Sequence, residues 1–512
     1  MYIINAYLIL FYSYKYEEEQ QMGNENEKKN SAEVAYRKAS ILDMVLSAGT
    51  NGGQMCFYIL MMYASYIANE GYGIAVATVG VILSVTKVFD GVTDAMAAAI
   101  IELMPAKHGK ARIGIIIGFV VESLATMMLF NWAAGKFEGM AGIVIFTVTY
   151  VMYTLGYTMC STAAAVNPTI ITNDPKQRPM MGFIGVVYSY LTPMIFNTMI
   201  SFWILPKYDN QYNAEMLRDS CIIFVAFAAI LTITTCIGLR KVDVEETYVI
   251  NSETDKSQGR IKFKDMWHVL SRNRACQMYI ISCATDKLAQ STATQAIIMT
   301  MLNGILIGSY KATTMINNFT MIVGIIFAFL GGLYVAKCGT KQATIVWSWV
   351  AIAVAVVTTG FCVVLGKDGM SQISVAMAPT VIYVVLMTAT TAVRMILTTA
   401  AGAMRSDVVD YELERSGKYM PAVVAGVYSF IDKLMTALAA GLSAFCVAAI
   451  GYKDTMPQMG DKATTGVFLM TMILSFGLPV VGWICNLIAM KYYPLSKERM
   501  VEVQRNIANM RK

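Results

Sequence analysis

The chain has 512 residues, of which 56% are hydrophobic and only 14% are charged, and its formal net charge is +6. Soluble globular proteins are about a quarter charged, so this composition excludes an ordinary soluble domain. The positive charge is spread over short loops, which excludes a nucleic-acid-binding surface. Ten cysteines are scattered without a CxxC pair or a metal-ligand spacing, which favours small buried hydrophobes over a disulfide framework.

The first 40 residues are predicted to form a disordered cytoplasmic N-terminus. They include the apolar stretch MYIINAYLILFYSY, which lacks the basic leader of a cleavable signal peptide and is followed by KYEEEQQ. Met22 begins the polar sequence MGNENEKKN, and the sequence leaves open whether Met1 or Met22 is the start.

Long apolar segments follow one another along the rest of the chain, whose mean hydropathy is +0.53. Runs of roughly 20 to 28 residues recur, and each is long enough to cross about 30 Å of hydrocarbon. They predict twelve membrane-spanning helices. These cover about residues 41–68, 74–103, 112–133, 139–165, 180–205, 219–239, 275–303, 311–336, 342–365, 373–403, 421–450 and 465–491.

A polar segment divides the predicted helices six and six. The predicted domains are an N-terminal half 41–239, a cytoplasmic linker 240–274, a C-terminal half 275–491 and a cytoplasmic tail 492–512. The linker, the tail and alternate loops hold about two dozen Lys and Arg against about six elsewhere, which places both termini in the cytoplasm of a multi-pass cell-membrane protein. The predicted fold class is therefore an all-α membrane protein with two six-helix halves, the plan of the major facilitator fold.

Three charged residues lie within the second predicted helix. Lys87, Asp90 and Asp94 are spaced three and four apart, so they share one face of the helix. Asp94 precedes Pro105 by about eleven residues, which puts it roughly 16 Å deep, near the bilayer midplane. An ionised carboxylate there costs at least about 2.5 kcal/mol, and a bound cation relieves that cost. A purely structural ion pair with Lys87 is the alternative, although one lysine does not neutralise two acids.

Further ionisable residues fall inside other predicted helices. For Glu122 and Arg394, helix packing and function are equally consistent with the sequence. Neighbouring residues cannot point the same way on a helix, so Asp432 and Lys433 are expected to face different surroundings. The same holds for the adjacent pair Asp286 and Lys287, and Lys433 is expected to face the central cavity.

Several motifs between about residues 38 and 492 resemble the glycoside–pentoside–hexuronide:cation symporters, the melibiose-permease-like family of the major facilitator superfamily. They are KVFDGVTD and HGKAR around the second helix, GYTMCSTAAAVNPTI and NDPKQR around the fourth, SDVVDYELERSGK after the tenth, and YSFIDKLMTALAAGL in the eleventh. The resemblance implies a secondary transporter that couples a cation to a solute. It also implies that SDVVDYELERSGK forms a loop between helices ten and eleven.

The resemblance implies a cation site formed by Asp90, Thr93, Asp94 and Thr158. Oxygen ligands of this kind suit hard monovalent cations. Thr93 stands where melibiose permease has Asn, and Ala95 stands where Pro is usual. The coupling ion is therefore expected to be H⁺ or Na⁺, and no other metal or cofactor is expected.

The resemblance also implies a polar substrate pocket, with Asn51, Gln54, Tyr157, Ser161 and Lys433 as its lining. The acids that hold galactosyl hydroxyls in melibiose permease are missing here, and Ser161 replaces the one on helix four. A galactoside is therefore not assumed, and the cationic Lys433 favours a hexuronide or another anionic solute.

Charged residues at the cytoplasmic side are implied to close the inner gate between the two halves. In the family, a basic residue after helix four pairs with aspartates of the loop after helix ten; solvated loop charges are the alternative. The candidate gating residues are Lys87, Lys110, Arg178, Asp407, Asp410 and Lys418.

These observations predict a transporter that couples H⁺ or Na⁺ entry to uptake of a sugar, glycoside or hexuronide. A proton-driven exporter of an amphiphilic molecule on the same fold is the alternative. An enzyme is disfavoured because the histidines, His108 and His268, fall in predicted loops and no nucleophile or metal constellation is evident. The expected partners are a sugar-like small molecule and the lipid bilayer, without nucleic acid, and no oligomer is implied.

Overall fold

A computed structural model describes residues 38–104, 109–172, 177–244, 269–417 and 421–510, and within these ranges every regular element is a helix. The long helices, in chain order, are α1 (Ile41–Ser47, Gly49–Met62 and Ala64–Tyr72), α2 (Val76–Leu103), α3 (Lys110–Trp132), α4 (Gly139–Ala164), α5 (Gln177–Met199), α6 (Ala214–Leu239), α7 (Arg274–Ala293), α8 (Tyr310–Cys338), α9 (Thr340–Gly369), α10 (Met377–Ser416), α11 (Pro421–Ala449), α12 (Thr465–Met472 and Leu478–Tyr492) and α13 (Lys497–Met510).

The prediction of an all-α membrane protein is confirmed. In the described part of the chain, nine helices are long and apolar enough to cross a membrane, namely α3 to α6 and α8 to α12. The other three predicted spans are also helical. Three features distinguish them from the nine. The helix α1 is interrupted at Ala48 and Tyr63, α2 carries the charged residues, and α7 is followed by a separate short helix, Ala296–Met299.

The two halves meet along helices that carry small residues. α2 packs along α11, and α5 packs against α8. Gly80 of α2 faces Ala444 of α11 so closely that a Cβ at position 80 would clash with it. Small residues let two membrane helices approach to backbone distance, which is why these positions bring α2 and α11 together.

The ends of the helix bundle are packed differently. At the end where the Val76 amide donates to the Lys453 carbonyl, one apolar cluster contains residues of both halves, including Tyr66 and Phe468. At the opposite end, described apolar side chains form one cluster in the N-terminal half around Ile101, and another cluster in the C-terminal half. We call these the closed end and the split end.

Hydrogen bonds also join the two halves at the closed end. The Tyr66 hydroxyl donates to the Pro457 carbonyl over 2.8 Å, and the Asn69 amide donates to the Asp454 carbonyl over 2.7 Å. Tyr66 is completely buried, so its hydroxyl satisfies a backbone acceptor that water does not reach. The closed end is therefore held by polar as well as apolar contacts.

The helix α10 continues well beyond the predicted end at residue 403. It has 40 residues, about 60 Å at 1.5 Å per residue, and ends before Gly417, whose φ of 69° terminates it. Asp407 and Asp410 lie on this helical extension, so their predicted placement in a loop is wrong. The physical reason is that Val408 and Glu412 are buried one turn apart, and Glu412 pairs with Arg415, which stabilises the helix outside the apolar run.

The predicted cytoplasmic tail contains α13, which packs on the extension of α10. Arg499 contacts Glu414 at 2.9 Å, and the Asn506 amide donates to the same carboxylate at 2.6 Å. The Gln504 amide donates to Asp410 over 2.7 Å. These contacts explain why the strongly polar helix α13 is ordered against the polar extension of α10.

The start of α3 is attached to the residues that follow α6. The Asp243 carboxylate accepts from the Arg112 backbone amide over 2.8 Å and from the Arg112 side chain over 3.2 Å. Gly109 precedes this contact with a φ of 87°, and a Cβ there would clash with Asp243. The HGKAR motif therefore includes a capped helix start. The predicted domain limits stay predictions, since 1–37 and 245–268 lie outside the described residues.

Candidate functional site

A central cavity of about 240 Å³ lies between the two halves. Ionisable side chains from α2, α7 and α11 face it together with tyrosines from α1 and α4. The residues of the lining that carry polar groups are Tyr58, Ser65, Lys87, Asp90, Tyr150, Tyr153, Tyr157, Lys287, Ser291, Thr294, Gln295, Asp432, Lys433 and Thr436.

The Asp90 carboxylate is the centre of a cluster of donors. Oδ1 accepts from the Thr158 hydroxyl over 2.8 Å and from the Thr93 hydroxyl over 3.3 Å. The Lys433 ammonium, from the other half, lies 3.4 Å from Oδ2 and donates to the Asp90 carbonyl over 3.1 Å. Asp90 is only 8% exposed. The charge of its carboxylate is thus compensated by one ammonium and two neutral hydroxyls.

The structure therefore brings together Asp90, Thr93 and Thr158, three of the four residues predicted to hold a cation. Thr93 follows Asp90 by nearly one helical turn, while Thr158 comes from α4 at a position where α4 packs on α2. The side chain of Asp94 lies outside the described residues. The ion-binding role of this cluster stays a prediction.

A second ion pair lies in the same cavity. The Lys287 ammonium of α7 is 3.0 Å from the Asp432 carboxylate of α11. The adjacent residues Asp432 and Lys433 thus both reach the cavity but contact different partners, since Lys433 turns to Asp90. Together with Lys87, the described lining holds three ammonium groups and two carboxylates, which leaves one net positive charge.

The predicted substrate residues do not all reach the cavity. Tyr157 and Lys433 line it. Gln54 instead donates through Nε2 to the Glu122 carboxylate over 2.8 Å inside the N-terminal half. Asn51 is exposed, and the Ser161 hydroxyl donates to the Thr158 carbonyl over 3.1 Å. Asn51 and Ser161 lie seven and four residues from Tyr58 and Tyr157, on the same helix faces, so they are separated from the cavity by their position nearer the split end.

Sequence reasoning missed an aromatic face on the cavity wall. Tyr150, Tyr153 and Tyr157 of α4 line the cavity, and the centroids of successive rings are 5.9 and 5.8 Å apart. Their spacing of three and four residues was the available signal, since it puts all three on one side of a helix. Aromatic walls with a few polar groups are typical of small-molecule pockets.

The candidate gating residues are separated in the structure. Lys87 is half-buried in the central cavity, away from the split end, and Lys110 is the first residue of α3. The Arg178 side chain and Lys418 lie outside the described residues. The predicted contact across the halves therefore stays a prediction, and Lys87 belongs to the cavity by its position.

The two aspartates of the α10 extension have partners within the C-terminal half. The Thr340 hydroxyl at the start of α9 donates to Asp407 over 2.7 Å, and Gln504 donates to Asp410. Neither partner is charged. Their predicted contact with a basic residue of the N-terminal half stays a prediction.

The sequence profile of the family described as "MFS/sugar transport protein" matches residues 46–497. The chain belongs to this family. As a member of the MFS/sugar transport family, it is an integral multi-pass membrane protein, and its helices and central cavity are those of a transporter for small molecules.

Two curated relatives, both from Escherichia coli strain K12, match most of the chain. The putative glycoside/cation symporter YagG is 21% identical over 458 residues, which cover 88% of this chain and 91% of YagG. The glucuronide carrier protein homolog is 20% identical over 448 residues, with 86% and 89% covered. The inward-open xylose transporter XylE from E. coli shares the fold, with a TM-score of 0.55, 11% identity and coverage of 91% and 99%.

Proposed function

We propose that this member of the MFS/sugar transport family couples the entry of a monovalent cation, H⁺ or Na⁺, to uptake of a sugar, glycoside or hexuronide. The observation that carries the proposal is the Asp90 carboxylate, buried between the two halves and contacted by Thr93, Thr158 and Lys433. A carboxylate at this depth requires a positive partner. Such a partner is either the lysine of the opposite half or an incoming cation.

The coupling mechanism follows from that choice of partners. When a cation occupies the carboxylate and hydroxyl oxygens around Asp90, the Lys433 ammonium loses its counter-charge and turns to another acceptor. An anionic solute in the cavity provides one. Cation and solute then stabilise each other across the two halves, and neither is held as well alone, which is the thermodynamic requirement for symport.

The lining of the cavity supports a sugar-like solute with a negative group. Four tyrosines on one side offer flat apolar faces and hydroxyls, and the net positive charge of the described lining attracts a carboxylate. The names of the curated relatives, a putative glycoside/cation symporter and a glucuronide carrier homolog, agree with this substrate class. We favour a hexuronide over a neutral glycoside.

The direction of the molecule in the membrane is part of the proposal. The positive-inside rule puts both termini, and with them the split end, on the cytoplasmic side of the cell membrane. A cysteine introduced between residues 208 and 216 should then react with an impermeant reagent from outside, and one between 250 and 258 should not. Reversed labelling, measured against the parent protein with its native cysteines, would overturn the orientation.

The transport proposal is tested with purified protein in liposomes. Labelled methyl glucuronide and its neutral partner methyl glucoside are offered with an inward Na⁺ gradient, an inward H⁺ gradient, or no gradient. We expect concentrative uptake of the glucuronide with one of the two ions. Extrusion of solute in place of uptake would favour the exporter, and the absence of any gradient-driven movement of either sugar would contradict the proposal.

A further inference from the structure

Three acidic side chains in the described part of the chain are completely buried, at 0% exposure: Asp243, Glu412 and Glu122. Asp243 contacts Arg112, and Glu412 contacts Arg415, so both carboxylates have a guanidinium partner. Glu122, inside α3, accepts a hydrogen bond from the neutral amide of Gln54. The three acids are therefore equal in burial but not in charge compensation.

The polar atoms around Glu122 show an excess of acceptors. Gln54 Nε2 donates to Glu122 Oε1 over 2.8 Å. Glu122 Oε2 and Gln54 Oε1 are both buried without a hydrogen-bond partner in the part of the chain that the structure describes. Each of these acceptors is costly, because it has lost water without gaining a donor. A hydrogen atom on Glu122 Oε2 that is donated to Gln54 Oε1 would give both atoms a partner.

Among the described residues, the helices around Glu122 supply no charged partner for it. α3 and α4 are in close contact here, since a Cβ at Gly156 would clash with the backbone of Glu122. The neighbouring side chains that titrate are thiols and phenols, which are uncharged at neutral pH. They are Cys56 of α1 and Tyr153, Tyr157 and Cys160 of α4. Cys221 of α6 lies further away, where it contacts Thr126, one turn after Glu122 on α3.

We infer that Glu122 is a proton-binding site, at which one proton on Oε2 is shared with Gln54 Oε1 in a paired acid and amide. Loading takes a proton from a hydronium ion, which leaves as water, forms the O–H bond at Oε2 and leaves the side chain neutral. The planar carboxyl and the planar amide then exchange two hydrogen bonds. Gln54 Nε2 donates to Glu122 Oε1, and the protonated Glu122 Oε2 donates to Gln54 Oε1.

The contrast with Asp90 separates the two carboxyl groups by role. Asp90 has an ammonium and two hydroxyl donors around its carboxyl group. Glu122 has one neutral donor and complete burial, an environment that favours the acid. The inference concerns a different residue from the one that carries the proposed function, and it stands whether or not Asp90 binds a cation.

Infrared difference spectroscopy of the purified full-length protein in lipid tests this inference. At neutral pH, subtracting the spectrum of Glu122→Gln from that of the wild type should reveal the carbonyl band of a protonated carboxyl group, shifted in D₂O. Gln preserves the two-bond geometry by pairing with Gln54 as amide to amide, so the variant should fold. The matched control, Asp90→Asn, should remove a carboxylate band. Loss of carboxylate bands in Glu122→Gln, without a protonated-carboxyl band, overturns the inference.

A second variant decides the question if Glu122→Gln does not yield folded protein. Gln54→Met removes the donor to Glu122 Oε1 while keeping the volume of the side chain. The protonated-carboxyl band should move to higher frequency, because its carbonyl has lost a hydrogen bond. An unmoved band would show that the protonated group is elsewhere and would overturn the inference.

Discussion

The two walls of the central cavity are built from different chemistry. The wall from the N-terminal half carries four tyrosines with one lysine and one aspartate, Lys87 and Asp90. The wall from the C-terminal half carries Lys287, Asp432 and Lys433 among short polar residues, and no tyrosine among its described lining. The first wall offers flat aromatic surface, and the second offers an excess of positive charge.

In the proposed symport, this difference would place the cation and the solute at the boundary between the two halves. Asp90 belongs to one wall and Lys433 to the other, so their contact spans the gap between the halves. A sugar with a carboxylate would contact the tyrosines through its ring and the lysines through its charge, and so would also contact both halves. In the proposed mechanism, the binding of the ion and the binding of the solute would therefore each depend on the separation of the same two walls.

The largest expected effect comes from removing the negative charge of the first wall. Asp90→Asn keeps the shape of the side chain but takes away the charge that attracts a cation, so concentrative uptake should fall at least about tenfold. A factor of ten corresponds to about 1.4 kcal/mol, and a charge inside the membrane contributes a larger free energy than that. Exchange of labelled for unlabelled solute should survive. Asp368→Asn is the control, because Asp368 is 81% exposed. Unchanged ion dependence in Asp90→Asn would assign the coupling ion to another site.

The second prediction tests whether the charges of the two walls act together. Lys433→Ala leaves Asp90 without its ammonium and should reduce uptake at least about tenfold, since a factor of ten is about 1.4 kcal/mol and breaking a buried pair costs about 3 to 5 kcal/mol. The double variant should lose much less than the product of the two single losses, because residues in direct contact are not additive. Uptake rates of the four proteins give this comparison, and multiplied losses would mean that the two residues act separately.

The third prediction separates the charges of the second wall by sign. Lys287→Met lowers the net charge of the described lining by one, and Asp432→Asn raises it by one. The apparent affinity for methyl glucuronide should fall several-fold in the first variant and rise in the second, as expected from a change in local potential. The affinity for methyl glucoside should change little. Parallel changes for both sugars would show that the pair has a structural role only.

The smallest effect is expected at the split end, where the described apolar side chains of the two halves form separate clusters. If Arg178 pairs with Asp407 or Asp410 when that end closes, Arg178→Asp should slow transport several-fold, the scale of one exposed or half-exposed ion pair. Exchanging the charges of Arg178 and Asp407 should restore part of the rate. Wild-type rates in Arg178→Asp would favour solvated charges at this end.

The helices could be predicted from hydropathy alone because each span must bury about 20 apolar residues. The end of α10 was missed for the same reason, since apolar character stops near Met404 while helical spacing continues to Gly417. Val408, Glu412 and Arg415 carried that signal, because they repeat at three and four residues on one face.

The site was predictable only where its residues are close in sequence. Asp90 and Thr93 share a helix face, so their proximity follows from spacing. Thr158 was placed beside them by family resemblance, since 68 residues separate it from Asp90. Gln54 and Glu122 are also 68 residues apart, and nothing local in either segment indicates that one is the partner of the other. Contacts of this kind depend on helix packing, which hydropathy does not report.

The contact between α13 and α10 has a consequence for how the protein is made. Glu414 meets Arg499, which follows it by 85 residues in the chain. A ribosome adds about 5 to 20 residues each second, so the extension of α10 emerges roughly 4 to 17 seconds before its partner. Every membrane span has been translated by then. A chain that terminates just before Lys497 would therefore insert all of its spans and still leave the outer part of α10 without the helix that covers it.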